Sequence, residues 1–179
     1  MEDYAYVLDV LPEGRPDSKR RFRREPIIYG LGIEEFKIFD MQPIPDAVIN
    51  IGDRCYIGKE TEERTQIDHV RARVNFVELT HTAQSELGFV LDEIVKENEE
   101  KFIQFFNHAG PISRRYHSLE LIPGLGKKTM NLIVANRPYS TFKEMEEKIP
   151  NFRSPEKYIS QRIENEIKES DQKYRLFVR

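Results

Sequence analysis

The chain contains no tryptophan and only one cysteine, Cys55. A single cysteine excludes an internal disulfide and a zinc cluster built on paired cysteines, and it suits a reducing compartment. No apolar run approaches the roughly 18 residues that a membrane helix needs, and the first three residues, Met-Glu-Asp, are acidic rather than signal-like. We therefore expect a soluble, cytoplasmic protein with no membrane partner.

An excess of positive charge is also lacking, because the formal net charge is −3. This balance argues against a uniformly basic, histone-like binder of nucleic acid. Charged residues nevertheless make up 33% of the 179 residues, so any contact with a polyanion must come from local basic patches. The length allows one or two domains with a hydrophobic core.

The sequence signatures of catalysis and of metal binding are missing too. The histidines share no ligand spacing such as His-x-x-x-His, and there is no P-loop, Gly-x-Gly-x-x-Gly or Gly-x-Ser-x-Gly motif. We therefore expect no enzymatic activity, no metal and no organic cofactor.

A glycine-rich stretch, Ile-Pro-Gly-Leu-Gly-Lys-Lys over residues 122–128, separates two short apolar segments. Pro123 ends the first segment, while Gly124 and Gly126 permit positive φ angles and close approach of another backbone. We expect a helix to begin at about Gly126, with its unpaired amides directed at the turn. Lys127 and Lys128 lie at the helix end where cations are unfavourable, which indicates an anionic ligand, most naturally a phosphate.

This stretch, with Leu121 before it and Ile133 after it, resembles the helix-hairpin-helix motif of non-sequence-specific nucleic-acid-binding proteins. The resemblance spans residues 116–137 and implies that Gly124, Leu125, Gly126 and Lys127 hold backbone phosphates. It also allows a monovalent cation bound by the hairpin carbonyls. The alanine usual in the second helix of that family is Met130 here. The residue pattern by itself also allows a tight αα-corner with no ligand.

Residues 1–80 read as short strands separated by turn residues. The predicted strands are residues 4–11, 26–32, 35–41, 54–58 and 70–79. Five such strands favour a small β-barrel, either of the oligonucleotide-binding (OB) type or SH3-like. In the last strand, Val70, Ala72 and Val74 face one way, and Arg71 and Arg73 face the other.

The connection between the first two predicted strands, residues 12–25, is rich in cations around an aromatic ring, Phe22. Closely spaced cations repel one another unless a polyanion neutralises them, and interleaved aromatics suit single-stranded nucleic acid. The alternative for this connection is a solvated loop without a ligand. The alternative for the strand arginines is an ordinary charged outer face of the sheet. The nucleic-acid contacts we predict in this part of the chain are Arg20, Arg21, Arg23, Arg24, Arg71 and Arg73.

From residue 81 onward the periodicity is helical. We expect one helix capped by Thr82 or Ser85, then a phenylalanine-rich core helix that reaches about His108, the two meeting near Asn98. A second pair over residues 141–168 begins with a capping box, Thr141 and Glu144, but lacks glycines in its break. We interpret this pair as a degenerate hairpin. Residues 173–179 suit either an extra strand or a basic arm.

These elements predict an α+β protein with an OB-like β-barrel domain over residues 1–80 and a helical domain over residues 81–179. The charge distribution supports a basic face: residues 114–137 contain five lysines and arginines against one acid, whereas residues 86–101 contain six acids against two lysines. DNA glycosylases carry the same hairpin followed by a catalytic aspartate. Glu144, Glu146 and Glu147 occupy that region here, which disfavours a glycosylase.

The whole-chain arrangement resembles an uncharacterised archaeal family of predicted nucleic-acid-binding proteins, with an OB-like β-domain followed by a helix-hairpin-helix domain. Members of that family are commonly encoded near translation and ribosome-maturation genes, which favours RNA over DNA and ribosomal or RNA-processing partners. We therefore expect a non-enzymatic, largely sequence-independent binder of backbone phosphates. The alternative is a protein–protein adaptor in an RNA-processing or ribosome-associated assembly.

Overall fold

The structure, a computed structural model, describes residues 1–15 and 25–179. Within these residues the fold is α+β, as predicted, with one five-stranded sheet and five α-helices. The strands are β1 (Tyr4–Leu11), β2 (Ile27–Gly32), β3 (Ile38–Pro43), β4 (Arg54–Tyr56) and β5 (Ile67–Val74). The helices are α1 (His81–Glu97), α2 (Glu99–His108), α3 (Lys127–Ala135), α4 (Phe142–Lys148) and α5 (Pro155–Lys168).

The sheet is antiparallel throughout, with the strand order β4-β1-β2-β3-β5. The register shifts once in β1, between Val7 and Asp9, and twice in β3, on either side of Met41 and Gln42. Such bulges bend a strand and increase its twist, so the sheet curls into a half-barrel. The inner face packs alternate residues into one core, formed by Ala5, Val7, Ile28, Met41, Cys55, Ile57 and Ile67.

Several predicted strand boundaries were wrong: the third strand lies at Ile38–Pro43 rather than 35–41, the fourth ends at Tyr56 rather than 58, and the fifth begins at Ile67 rather than 70. Two further predictions were wrong, and a capping residue explains each. The fifth strand ends at Val74 rather than 79, because the Glu78 carboxylate accepts a hydrogen bond from the Asn75 amide (2.6 Å) and starts a 3₁₀ turn, Phe76–Glu78. Helix α1 is capped by Thr80, not by Thr82 or Ser85. Its hydroxyl accepts from the Ala83 amide (3.1 Å) and donates to Asp9 (2.6 Å).

The chain divides into two compact units: residues 1–90 with 167–179, and residues 91–166. The division falls inside α1 and inside α5, and the predicted domains 1–80 and 81–179 stay a prediction. In the first unit, the Arg179 amide donates to the Glu35 carbonyl (3.1 Å), and Arg73 donates to the Arg179 carbonyl (3.1 Å). Residues 173–179 pack there without forming a strand.

The second unit is organised around phenylalanines, as predicted. Phe102, Phe106 and Phe152 are fully buried. The ring of Phe152, which lies between α4 and α5, meets Phe106 edge-on at 6.3 Å and lies 4.9 Å from the ring of Tyr158. The break between α4 and α5 is therefore filled by a core side chain. The predicted meeting of α1 and α2 at Asn98 is confirmed.

Candidate nucleic-acid interface

The predicted hairpin consists of a 3₁₀ helix (Ser118–Leu121), a turn over residues 122–126, and α3. Gly124 has a φ of +82°, which only glycine adopts without strain, and the Leu125 amide donates to the Ile122 carbonyl (3.2 Å). A methyl group on Gly124 would lie 3.2 Å from the Tyr158 ring. The turn is therefore tight, and the Tyr158 ring of α5 packs against it.

Helix α3 begins without a side-chain cap. Its N-cap residue, Gly126, carries no side chain, and no acid lies in the first turn. In the described part of the chain, the amides of Gly126, Lys127 and Lys128 have no protein partner. Both lysine side chains are exposed. The helix thus presents unpaired amides, the positive end of its dipole and two ammonium groups to solvent at one point, an arrangement suited to an anion.

The segment leading into the turn is held by side chains. Arg162 of α5, only 7% exposed, donates to the Leu121 carbonyl (3.2 Å) and pairs with the buried carboxylate of Glu166 (3.3 Å). The His117 ring caps the 3₁₀ helix by accepting from the Leu119 amide (3.1 Å). Burial lowers the pKa of His117, the nearby Arg137 cation lowers it further, and Glu120 partly opposes the shift. The folded state therefore favours the neutral form of the His117 ring.

The two strand arginines have different surroundings. Arg71 is largely covered; it pairs with Asp40 (2.9 Å) and donates to Gln42 and to the Pro26 carbonyl. It also reaches Glu25 (3.4 Å), so it lies beside the described end of the arginine-rich connection. Arg73 is exposed and donates to the Arg179 carbonyl. Arg71 thus joins β5 to β3, whereas Arg73 faces solvent.

The other predicted contacts of the first unit, Arg20, Arg21, Arg23 and Arg24, lie outside the described residues. Arg15, the first cation of this connection, is described. It donates to the Tyr29 hydroxyl (3.2 Å) and to the Glu78 carbonyl. Its guanidinium therefore contributes to the packing of the first unit.

Glutamates occupy the region where a glycosylase has its catalytic aspartate, and two of the three make hydrogen bonds that hold the backbone. Glu144 pairs with Lys148 (2.8 Å) and accepts from the Ser140 amide (2.7 Å), and these contacts lower its pKa. Thr141 caps α4 as predicted, but the reciprocal bond of the capping box goes to Ser140. Glu146 accepts from the Ser154 amide (2.7 Å).

Sequence reasoning placed residues 116 and 117 at the edge of the hairpin motif but predicted no ligand contact in residues 111–117, a small loop closed by a bridge between Pro111 and His117. Arg114, Arg115 and Tyr116 are all exposed on it. The available signal was the Gly110-Pro111 break followed by two adjacent arginines and an aromatic residue. Helical periodicity does not reveal such a loop, because the bridge joins residues across a turn.

An apolar groove of about 420 Å³ lies in the first unit, where β1 and β3 end and β2 begins. Its lining includes Val10, Ile28, Pro43, Ile44 and Ile49. Val48, which follows the groove-lining Ala47 in the chain, is 78% exposed.

No α-helix in the described ranges has the length and hydropathy to cross a bilayer.

Comparison with known proteins places this architecture among archaeal relatives. An uncharacterised protein from Methanocaldococcus jannaschii, MJ0038, is 43% identical over 182 residues, covering 99% of this chain and 80% of the relative. The crystal structure of Af1531 from Archaeoglobus fulgidus is similar to this structure with a TM-score of 0.90 and 39% identity, covering 99% of this chain and all of that one. The sequence model described as "Protein of unknown function (DUF655)" matches residues 1–179, so the chain belongs to the DUF655 family.

Proposed function

We propose that this protein binds nucleic acid through backbone phosphates, largely independently of sequence and without a catalytic step. The observation that carries the proposal is the start of α3. There a glycine turn with positive φ leads into an uncapped helix end that bears two exposed lysines. Negative charge is favoured at such an end and positive charge is not, so an anion is the expected occupant.

We assign residues 116–137 as a helix-hairpin-helix motif whose first helix is shortened to a 3₁₀ turn. Gly124, Gly126, Lys127 and Lys128 would hold the phosphates, and Leu125 would shape the turn, since its amide is engaged by Ile122. The pair α4 and α5 would be a degenerate second hairpin that keeps only a packing role, because Phe152 fills its break.

We further propose an OB-like role for the curled sheet. OB domains bind single strands with the face of their second and third strands and with the loops that follow strands one and four. The arginine-rich connection after β1 occupies the first of these loop positions, and Arg73 adds an exposed cation on β5. Arg71 would position the end of that connection through Glu25 and Pro26. RNA is the favoured ligand on the family resemblance alone.

The test is fluorescence anisotropy with labelled single-stranded RNA, double-stranded RNA and double-stranded DNA. Reversing two charges, Lys127→Glu with Lys128→Glu, should weaken binding to all sequences alike, by at least about tenfold, since phosphate contacts carry no base information. The matched control is Lys96→Glu with Lys143→Glu, which changes the net charge equally at two exposed helix positions outside residues 116–137. No binding by the wild type, or equal losses in both variants, would contradict the proposal.

A protein–protein adaptor is the second candidate, and the groove beside the exposed Val48 favours it. An apolar docking surface keeps its affinity as salt rises, whereas phosphate binding weakens steeply. If the wild-type protein binds no nucleic acid even at low salt, the adaptor becomes the favoured function.

A further inference from the structure

The loop over residues 111–117 presents cations and an aromatic ring together. Arg114 and Arg115 are exposed, and Tyr116 is 48% exposed. Residues 110–119 contain no acid that could neutralise the two guanidinium groups. Exposed arginine beside an exposed aromatic ring matches the chemistry of a nucleotide, whose phosphate is anionic and whose base has a flat apolar face.

The backbone of this loop is held by short-range hydrogen bonds. The Ile112 amide donates to the Tyr116 carbonyl (2.8 Å), and the Ser113 hydroxyl accepts from the amides of Arg115 (3.2 Å) and Tyr116 (3.1 Å). The Ser118 amide closes the base of the loop by donating to the Gly110 carbonyl (2.9 Å). A loop ordered before binding loses less conformational entropy on binding, which favours affinity.

The chain also keeps this loop within reach of a strand held at the hairpin. The four-residue 3₁₀ helix Ser118–Leu121 lies between them. At about 2 Å per residue in that helix and about 3.4 Å elsewhere, Tyr116 and Gly124 are separated by at most about 22 Å. One nucleic-acid strand advances about 3.4 Å per stacked nucleotide, so about six nucleotides span that distance.

We propose that Arg114, Arg115 and Tyr116 form a binding site for an unpaired nucleotide next to the backbone held at the hairpin. The Tyr116 ring stacks on the base, and the two arginines contact its flanking phosphates. This inference rests on the proposed function and names its substrate class: a nucleic acid in which a paired segment continues into a single-stranded overhang. Blunt duplex lacks the unpaired base and gains nothing from the loop.

The experiment measures anisotropy with a blunt RNA duplex and with the same duplex carrying a six-nucleotide overhang, a length set by the roughly 22 Å reach estimated above. Tyr116→Leu should lower affinity for the overhang duplex by about fivefold or more and leave the blunt duplex unchanged. Tyr116→Phe keeps the ring and should bind both duplexes like the wild type. An overhang containing 5-bromouridine should crosslink to the tryptic peptide that begins at Tyr116, which tests the contact without any substitution.

The outcomes separate this inference from the proposed function. Binding to the blunt duplex, together with overhang affinity that Tyr116→Leu does not change, overturns the loop site and leaves the hairpin proposal standing. A loss in Tyr116→Phe equal to that in Tyr116→Leu excludes stacking and also overturns it. Failure of the wild type to bind any of the nucleic acids removes both. Circular dichroism of each variant identifies a loss that is caused by unfolding.

Discussion

At the scale of single residues, His117 links protonation to the entrance of the hairpin. Its ring accepts from the Leu119 amide through Nδ1, which is possible only while that nitrogen is unprotonated. Burial and the neighbouring Arg137 both disfavour the charged ring and lower the His117 pKa below the ordinary 6.5, with Glu120 opposing. Protonation therefore removes a cap from the 3₁₀ helix that precedes the turn.

This gives a pH dependence with a defined sign. Because the folded state binds the proton less readily than the unfolded chain, the stability that neutral His117 contributes is complete above pH 6.5 and is lost as pH falls below it. His117→Asn keeps a good cap residue and removes the titration. Urea unfolding between about pH 7 and about pH 5 should show a smaller decrease in the free energy of unfolding for the variant. Identical pH profiles for the two proteins would exclude this role for His117.

At the scale of elements, the glycine turn and the start of α3 form the central feature. Gly124 needs its positive φ and lies against the Tyr158 ring, whereas Gly126 has an extended conformation, a φ of −75° and open space around it. The two glycines of this turn therefore have different structural roles. Gly124 determines the chain reversal, and Gly126 keeps the helix end uncapped and accessible.

The difference can be measured with one methyl group. Gly124→Ala should lower the free energy of unfolding by about 1–2 kcal/mol, because an L-residue is disfavoured at positive φ. Gly126→Ala serves as the matched control and should stay within about 0.5 kcal/mol of the wild type, since the poorer cap offsets the lower entropy of the unfolded chain. Both values come from urea unfolding at constant pH. Equal losses would show that the positive φ is not the determinant.

Elements set by local chemistry were predictable from the sequence. Three examples are the start of α3 directly after Gly126, the Thr141 cap and the break at Asn98, each of which depends on residues within one turn of the chain. Features that depend on distant partners were not. Thr80 caps α1 while it donates to Asp9, and the sequence does not show that these two residues meet.

The candidate site also has one part that could be predicted from local sequence and one part that depends on distant partners. The glycine-lysine turn could be located from residue types alone, because glycine and proline restrict the backbone wherever they occur. The engagement of Arg71 by Asp40, Gln42 and Pro26 could not be foreseen, since strand pairing determines it. An arginine on a strand can serve a ligand or its own sheet, and only the neighbours decide.

At the scale of the whole molecule, the net charge of −3 means that attraction to a polyanion has to be local. Residues 114–137 contain five lysines and arginines against one acid, whereas residues 86–101 contain six acids against two lysines. If the proposed function holds, such a distribution would orient a nucleic acid toward residues 114–137 and repel it from the acidic segment.

The salt dependence of binding should therefore correspond to a small number of phosphate contacts. With about three to four contacts, affinity for duplex should fall roughly 40- to 150-fold between about 50 and 200 mM salt. Lys127→Glu with Lys128→Glu should reduce the slope of log K against log salt by about 1.8, because two contacts are lost. Titrations across that salt range provide both numbers. A slope unchanged by the double reversal would place the phosphate contacts elsewhere.

The division of the chain into units has a consequence for the order in which the molecule can fold. The second unit is one continuous segment, 91–166, so all of its partners are available once residue 166 has been synthesised. The first unit includes residues 167–179, and the Arg179 amide reaches back to Glu35. Contacts this distant in sequence form slowly, because a long loop must close first. During synthesis from the N-terminus, the second unit can therefore complete before the first, which lacks the contacts of residues 167–179 until those residues are made.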